Sequence, residues 1–259
     1  MWLPDPRWES GDLMTGRKPT GPVVIDPSNG LSRDLVLYYG QQFGGGNDLT
    51  GNYPSTLAGD ARPVAGDWAF DGAGDYLNLG SMGDFGSRLG SRSTTIISKL
   101  KVGTTSIMAL CGTGNPGNKT VFQVALNRDY ITGANTEGQI YARIRDEFDR
   151  KRTVEAKFNT GISDGNYHTL VIIMHPNAGG QIWLDGVELL VSQNDVDNVD
   201  NTSTFVETFD IGSLNWKGSH GTDGYFNGSI STFAIWERGL LSREIKSLYA
   251  NPYQMLVPA

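Results

Sequence analysis

Residues 164–191 read DGNYHTLVIIMHPNAGGQIWLDGVELLV, and the Asp185-Gly186 dipeptide within them constrains the fold more than any other feature. Asp-Gly between two apolar runs readily takes the two positive φ angles of a type I′ turn, which joins antiparallel strands without splaying them. The turn sets the register: Leu184 faces Val187 and Ile182 faces Leu189 on an apolar side, while Trp183 and Glu188 share the opposite side. Upstream, His168 to His175 carries Leu170, Ile172 and Met174 on one face and Val171 and Ile173 on the other. That strand wants burial on both sides and a central place. An antiparallel sheet with one face committed to a core follows.

The rest of the chain repeats this grammar. Thirty-four glycines and eleven prolines punctuate β-branched and aromatic runs in 259 residues, a length that buries a two-sheet core in one domain. Strands are expected over 34–39, 94–102, 106–111, 120–127, 139–145 and 152–158, with 67–70 and 76–79 forming a hairpin. Helix signals concentrate after residue 241, where Ser242 caps, Ile245, Leu248 and Tyr249 form an apolar stripe, and Asn251-Pro252 ends the helix. Residues 1–30 contain Pro4, Pro6, Pro19, Pro22 and Pro27 and resist regular structure, so they read as an extended arm ahead of a domain at 31–259. Trp2, Trp8 and Leu13 are too apolar for a freely solvated tail, and docking on the chain's own domain or on another subunit both stay open.

A formal charge of −7 disfavours binding to phosphate backbones and anionic membranes, so nucleic acid is excluded as a partner. No run of about eighteen apolar residues is present to insert as a membrane-spanning helix, and the N-terminus lacks the basic-then-apolar pattern of a secretory signal. The single Cys111 cannot form an internal disulfide and reads as a small buried apolar residue. Gly44-Gly45-Gly46 lacks the Lys-Ser/Thr ending of a phosphate loop.

Three segments in order carry a family resemblance. Tyr167-His168 before an apolar strand, followed by Trp183-Leu184-Asp185-Gly186-Val187, resembles the laminin-G-like jelly rolls of the concanavalin A-like lectin and glucanase superfamily. Phe70-Asp71-Gly72 followed by Asp75-Tyr76-Leu77-Asn78-Leu79 resembles the early family hairpin, and Tyr225-Phe226-Asn227-Gly228-Ser229-Ile230 through Trp236-Glu237-Arg238-Gly239-Leu240 resembles its closing strand. The resemblance implies an all-β, two-sheet antiparallel jelly-roll sandwich with an irregular N-terminal arm and a short C-terminal helix. Lys18-Pro19-Thr20-Gly21-Pro22 and Asn251-Pro252-Tyr253 extend it toward laminin-G-like proteins encoded by bacterial viruses. What this implies is a noncatalytic recognition or structural module on the virion surface, decorating the capsid or associated with the tail. Its partners would be other virion proteins, a second copy through the arm, and cell-surface polysaccharide. A bacterial lectin-like protein, extracellular or at the cell surface by a route not visible in the sequence, is the alternative, and a glycoside hydrolase or polysaccharide lyase the third reading.

Candidate chemistry lies in three places. In the glycine-rich loop 212–225, Trp216 and Tyr225 are of the type that stacks on a sugar and Asn215, Lys217 and Asp223 of the type that reads its hydroxyls; a buried Trp anchoring the loop explains the pattern equally. Alternation in the middle strands leaves Gln123, Asn127, Tyr141, Arg143, Arg145, Glu155 and Lys157 on one face, either a glycan groove of the kind the superfamily implies or a solvated face stitched by ion pairs. For a cation, Asp195, Asp197 and Asp200 share one loop, which reads as a structural calcium site or as a soluble acidic turn; no other cofactor is indicated. The loop lacks the EF-hand glycine and terminal Glu, and Ser231 stands where relatives often carry Asp.

Catalysis is tested against the superfamily's strand of paired carboxylates. Glu147-Phe148-Asp149 begins that pattern, but Lys151 and Arg152 occupy both places for the second acid, and a cation can act neither as nucleophile nor as proton donor to the glycosidic oxygen. The expectation is no enzyme. His168 and His175, seven apart on one strand, point to opposite faces and cannot chelate one metal, so His168 is expected in a structural hydrogen bond. His220 has no paired nucleophile or ligand nearby in sequence.

Overall fold

The computed structural model describes residues 22–40, 48–82, 85, 91–115, 120–129, 132–146, 148, 150–156, 159–176, 178–197, 208–215 and 224–259. Two eight-stranded antiparallel sheets stack face to face. In sheet I, β15 (Ser192–Val196), β11 (Lys151–Ala156), β10 (Asn135–Arg145), β9 (Thr120–Arg128), β8 (Met108–Asn115), β16 (Asp210–Ile211), β6 (Tyr76–Asn78) and β3 (Thr56–Ala58) follow one another across the sheet. In sheet II the order is β14 (Val187–Glu188), β13 (Gly180–Leu184), β12 (Tyr167–Met174), β7 (Thr94–Val102), β17 (Asn227–Trp236), β5 (Asp67–Asp71) and β4 (Arg62–Val64), with β2 (Leu35–Gly40) also paired to β17. This is the expected all-β sandwich. Between the sheets Phe122, Leu126, Ile140, Ile144 and Val154 meet Ile96, Leu100, Leu170, Ile172, Ile230 and Phe233 in a continuous apolar core, each side chain contributing about 1.5–3 kcal/mol by leaving water.

The hairpin forms in the register its turn dictates. Asp185 and Gly186 have φ of 51° and 76°, the type I′ geometry, and Leu184 pairs with Val187 while Trp183 pairs with Glu188. β12 lies between β13 and β7, and both its faces are buried. Its outer face is buried as expected of a central strand, because sheet II is covered on both sides. The first departure from expectation is Trp183, which the sequence places with Glu188 on the side away from the core. Val171, Ile173, Trp183, Ala234 and Trp236 pack under Leu240, Ile245, Leu248, Tyr253 and Met255. The covering layer is α1 (Ser242–Ala250) and its flanks. Trp183 is therefore interior although its neighbour across the hairpin, Glu188, is exposed.

Three further corrections concern the crossing between the sheets and the helix. β5 and β6 do not form a hairpin: β5 pairs with β4 and β17 in sheet II, β6 with β3 and β16 in sheet I. The chain crosses between sheets through Gly72 and Gly74, both at positive φ, and the buried Asp75 carboxylate accepts the N–H groups of Asp60 at 2.8 Å and Asp71 at 2.9 Å. Ser242 is the first helical residue rather than the cap. Leu241 takes that place, and its N–H donates to Glu244 at 2.8 Å, a carboxylate held in turn by both Arg238 Nη atoms. Tyr249 leaves the apolar stripe: it is half exposed and lies over Gly186, where an added Cβ would stand 2.9 Å from its ring.

Part of the stretch read as an arm is folded. β1 (Val23–Ile25) pairs with β18 (Leu256–Pro258), Asn29 donates to the Gln254 carbonyl at 2.8 Å, and Trp236 Nε1 donates to the Leu31 carbonyl at 2.7 Å. Pro22 and Pro27 flank this strand without entering it, which is why the proline count did not prevent it. Residues 1–21 lie outside the described residues.

Candidate functional site

Two aromatic residues from distant parts of the chain stack at one end of sheet I. Tyr76 sits in β6 between Asp75 and Leu77, both buried, so alternation turns its ring outward. Tyr225 precedes Phe226, which is fully buried and packs edge-on against Phe70. Gly224 at φ 82° bonds its carbonyl to Ala109 N–H, and Phe226 N–H bonds to the Gly212 carbonyl at 2.8 Å, which fixes the approach of Tyr225. The two rings lie 6.3 Å apart, inclined by 19°, and both are half-buried.

Beside them is a cluster of hydrogen-bonding groups. Asn78 Nδ2 donates to Thr208 Oγ1 at 2.6 Å and to Asp210 Oδ1 at 3.1 Å, and Asn215 Nδ2 donates to the same Thr208 hydroxyl at 2.8 Å. Asn215 Oδ1 is buried with no donor facing it among the described residues. The loop that brings Asn215 here lies flat on the sheet because position 112 is glycine: a Cβ there would meet Leu214 at 2.6 Å, and Leu214 packs on Ala109 and Val121. Burial, the neighbouring Asp210 carboxylate and the Tyr225 ring together raise the Tyr76 hydroxyl above the ordinary phenol range. A half-open aromatic platform bordered by amide, hydroxyl and carboxylate groups suits the apolar face and hydroxyl rim of a sugar.

Of the residues singled out in the glycine-rich loop, Asn215 and Tyr225 join this cluster, while Trp216, Lys217 and Asp223 lie outside the described residues. Tyr76, Asn78, Thr208 and Asp210 were not anticipated, since their proximity depends on β6 and β16 pairing across 132 residues. The only available signal was the alternation that turns Tyr76 and Asn78 away from Leu77.

The middle-strand face is built as expected but is not open. Arg143 pairs with Gln123 on one side and Thr153 on the other, and donates to Gln123 Oε1 at 3.1 Å. Tyr141 and Glu155 are paired and only 1% and 0% exposed, so the Tyr141 ring presents no face to solvent; Arg143 and Arg145 are half-buried. Both the open groove and the solvated face thus give way, at Tyr141 and Glu155, to a buried polar layer. Arg152 departs further. It faces inward with Val154 and Ala156, is fully buried, and its three guanidinium nitrogens have no partner among the described residues.

Among the cation candidates, Asp197 is exposed and accepts the Lys151 N–H at 3.1 Å; the Asp195 side chain and Asp200 lie outside the described residues, as do Glu147 and Asp149. The cluster present among the described residues is another one, Asp60, Asp71 and Asp75, with carboxylate oxygens within 4.8 Å of one another. Its fit to calcium is poor. Both Asp75 oxygens already accept backbone N–H bonds, and Asp71 Oδ1 accepts that of Ala73, which leaves far fewer oxygens than the six to eight calcium takes. Cys111 is buried as expected, its thiol pushed up by desolvation.

No family model matches this chain, and no curated protein matches it. Solved structures do. The receptor-binding domain of the botulinum neurotoxin C/D mosaic serotype superposes with TM-score 0.62 at 12% identity, over 83% of this chain and 51% of that one. The botulinum neurotoxin DC binding domain in complex with rat synaptotagmin II gives 0.58 at 10% identity, covering 83% and 51%. The type C neurotoxin, whose cell entry is dependent upon interaction with two ganglioside molecules, gives 0.58 at 10% identity, covering 83% and 50%. The chain spans about half the length of these structures, and what it shares with them is the fold.

Proposed function

We propose that this protein is a noncatalytic recognition module that binds carbohydrate on the surface formed by Tyr76, Tyr225, Asn78 and Thr208, with the buried Asn215 hydrogen-bonded to Thr208. The observation that carries the reading is the Tyr76–Tyr225 stack beside the Asn–Thr–Asn hydrogen-bond cluster. The fold supports it, because the neurotoxin structures that share it are binding domains, one bound to synaptotagmin and one dependent on gangliosides for cell entry. Its finer form keeps the expectation from the sequence: the module is carried on a bacteriophage virion, decorating the capsid or tail, and engages cell-surface polysaccharide. A bacterial lectin-like protein is the alternative.

A glycan array probed with the wild type and with the Tyr76→Ala/Tyr225→Ala double variant tests the first part. Binding by the wild type and loss in the variant, with unchanged melting, is the expected result. Equal binding by both would reject this surface, and release of reducing ends from any bound polysaccharide would reject a noncatalytic module. Mass spectrometry of purified particles tests the second part, since a virion component copurifies with them.

A further inference from the structure

The first strand of the domain keeps one edge unpaired. The N–H of Ala259 donates to the Pro22 carbonyl at 3.1 Å and that of Asp26 to the Met255 carbonyl at 2.8 Å, which sets the phase of the β1–β18 ladder. In an antiparallel pair of that phase the backbone groups of Val23 and Ile25 point away from β18, and no further strand meets them among the described residues. Val24 and Ile25 also line a groove of about 540 Å³, together with Leu35 and Leu49. Ile25, Leu35 and Leu49 are half-buried, packing on the layer that includes α1, and Val24 is 45% exposed. Arg33 stands in the wall of the groove with its side chain 82% exposed, 3.4 Å from Asp34. A strand edge beside an apolar trough of this size is the arrangement that takes an extended peptide: the edge supplies main-chain bonds and the trough a place for a large side chain.

We infer that this groove receives residues 8–12 of a second copy of the chain, with main-chain bonds to Val23 and Ile25. Trp8 fills the trough, and Asp12, on the same side of an extended segment, meets Arg33. The inference is independent of the carbohydrate reading, since the groove shares no residue with the Tyr76–Tyr225 surface. Chain length favours a second copy over the chain's own segment, because only the ten residues 13–22 separate Asp12 from Val23. Laid parallel to β1, its own segment would need a crossover of about a dozen residues or more; laid antiparallel, it would need a hairpin loop of ten, where about two to five is usual. A second copy is under neither restraint. Asp12 and Arg33 are opposite in charge, so the arm of each copy complements the groove of the other and the exchange can be reciprocal. Because the contact lies between copies, each domain keeps its own core.

Sedimentation velocity of the full chain over a wide range of concentration tests this. The weight-average mass is expected to rise above that of the monomer as concentration increases. Deletion of Met1 to Thr20, Trp8→Ala and Val24→Asp should each weaken the association at least about tenfold. Val24 is exposed and outside the core, so its replacement should leave the domain folded; Trp8→Ala alters no described residue of the domain and decides the matter if Val24→Asp proves unstable. A peptide of residues 1–20 should bind the truncated chain saturably, and its Val24→Asp form at least about tenfold more weakly. Arg33→Gln should lessen the salt dependence of that binding. A full chain that stays monomeric throughout overturns the inference: if truncation then lowers its Tm, the segment fills its own groove, and if it does not, the groove serves another protein or none. Association that survives truncation overturns it too, by placing the interface elsewhere.

Discussion

His168 Nδ1 stands 2.7 Å from Asp185 Oδ2, joining the strand before the hairpin to its turn. The other ring nitrogen meets Asp164 Oδ1 at 2.9 Å, and Asp185 Oδ1 accepts the Thr169 N–H at 2.9 Å. Asp185 is thus chosen twice, for a turn that needs positive φ and for a carboxylate that clamps the imidazole. With a carboxylate on each nitrogen the ring favours its doubly protonated form. Burial alone would lower its pKa, but the bonds to Asp185 and Asp164 outweigh that and raise it.

The first prediction follows from the sign of that shift. A raised histidine pKa gives stability that is complete below the ordinary value of about 6.5 and is lost as pH climbs through the higher folded value. Asp164 works oppositely: its bond to His168 holds it down to about 2, so its contribution fades only as pH falls from the ordinary carboxylate range toward that value. Urea midpoints measured from pH 4 to 9 should decline on the alkaline side, and His168→Gln should flatten that decline. An identical profile in the variant would remove the clamp from the account.

Leu184→Asp should prevent folding, because it places an unpaired carboxylate in the inter-sheet core at a cost of several kcal/mol. Trp183→Ala, on the other side of the same strand, should also be severe, about 3–5 kcal/mol, because the ring is buried beneath α1. A cooperatively melting Leu184→Asp protein would mean the hairpin faces are misplaced.

Arg152→Met should raise the melting temperature. The guanidinium is buried with no partner among the described residues, and desolvation lowers its pKa, so replacement by an apolar side chain of similar length is expected to gain about 1–4 kcal/mol. A destabilised variant would show that Arg152 has a counter-charge in solution.

Deleting Met1 to Thr20 should leave the melting curve unchanged, since β1 begins at Val23 and its pairing with β18 is retained. On the proposed virion role, the same truncation should lose co-sedimentation with phage particles, because Trp2 and Trp8 would contribute roughly 2 kcal/mol or more apiece if buried on a partner. Retained co-sedimentation would end the attachment role, and lost folding would assign the segment to the domain.

What the sequence revealed and what it concealed divide along contact range. Strands β7, β9, β10, β12 and β13 were legible because each carries its own alternation, and the Asp185-Gly186 turn because two adjacent residues define it. The crossing at residues 71–75 was not, since its glycines and aspartate suit a hairpin equally and only the distant partners, β4 and β17 for β5 and β3 and β16 for β6, show the chain leaving one sheet for the other. β1 was hidden because three residues between prolines have no periodicity and their partner strand lies more than two hundred positions away. At the candidate site, Tyr225 and Asn215 were found by composition of their loop. Tyr76 and Asp210 needed the β6–β16 pairing that no local pattern encodes.

The central claim is that the Tyr76–Tyr225 surface holds carbohydrate without cleaving it. Tyrosine rings labelled with carbon-13 report this directly by NMR when the best-binding oligosaccharide of the array is titrated in. The account predicts saturable shifts at Tyr76 and Tyr225, no change at Tyr38 in the buried layer beneath α1, and recovery of the oligosaccharide intact. Shifts confined to other tyrosines, or shortened sugar in the recovered sample, would contradict it.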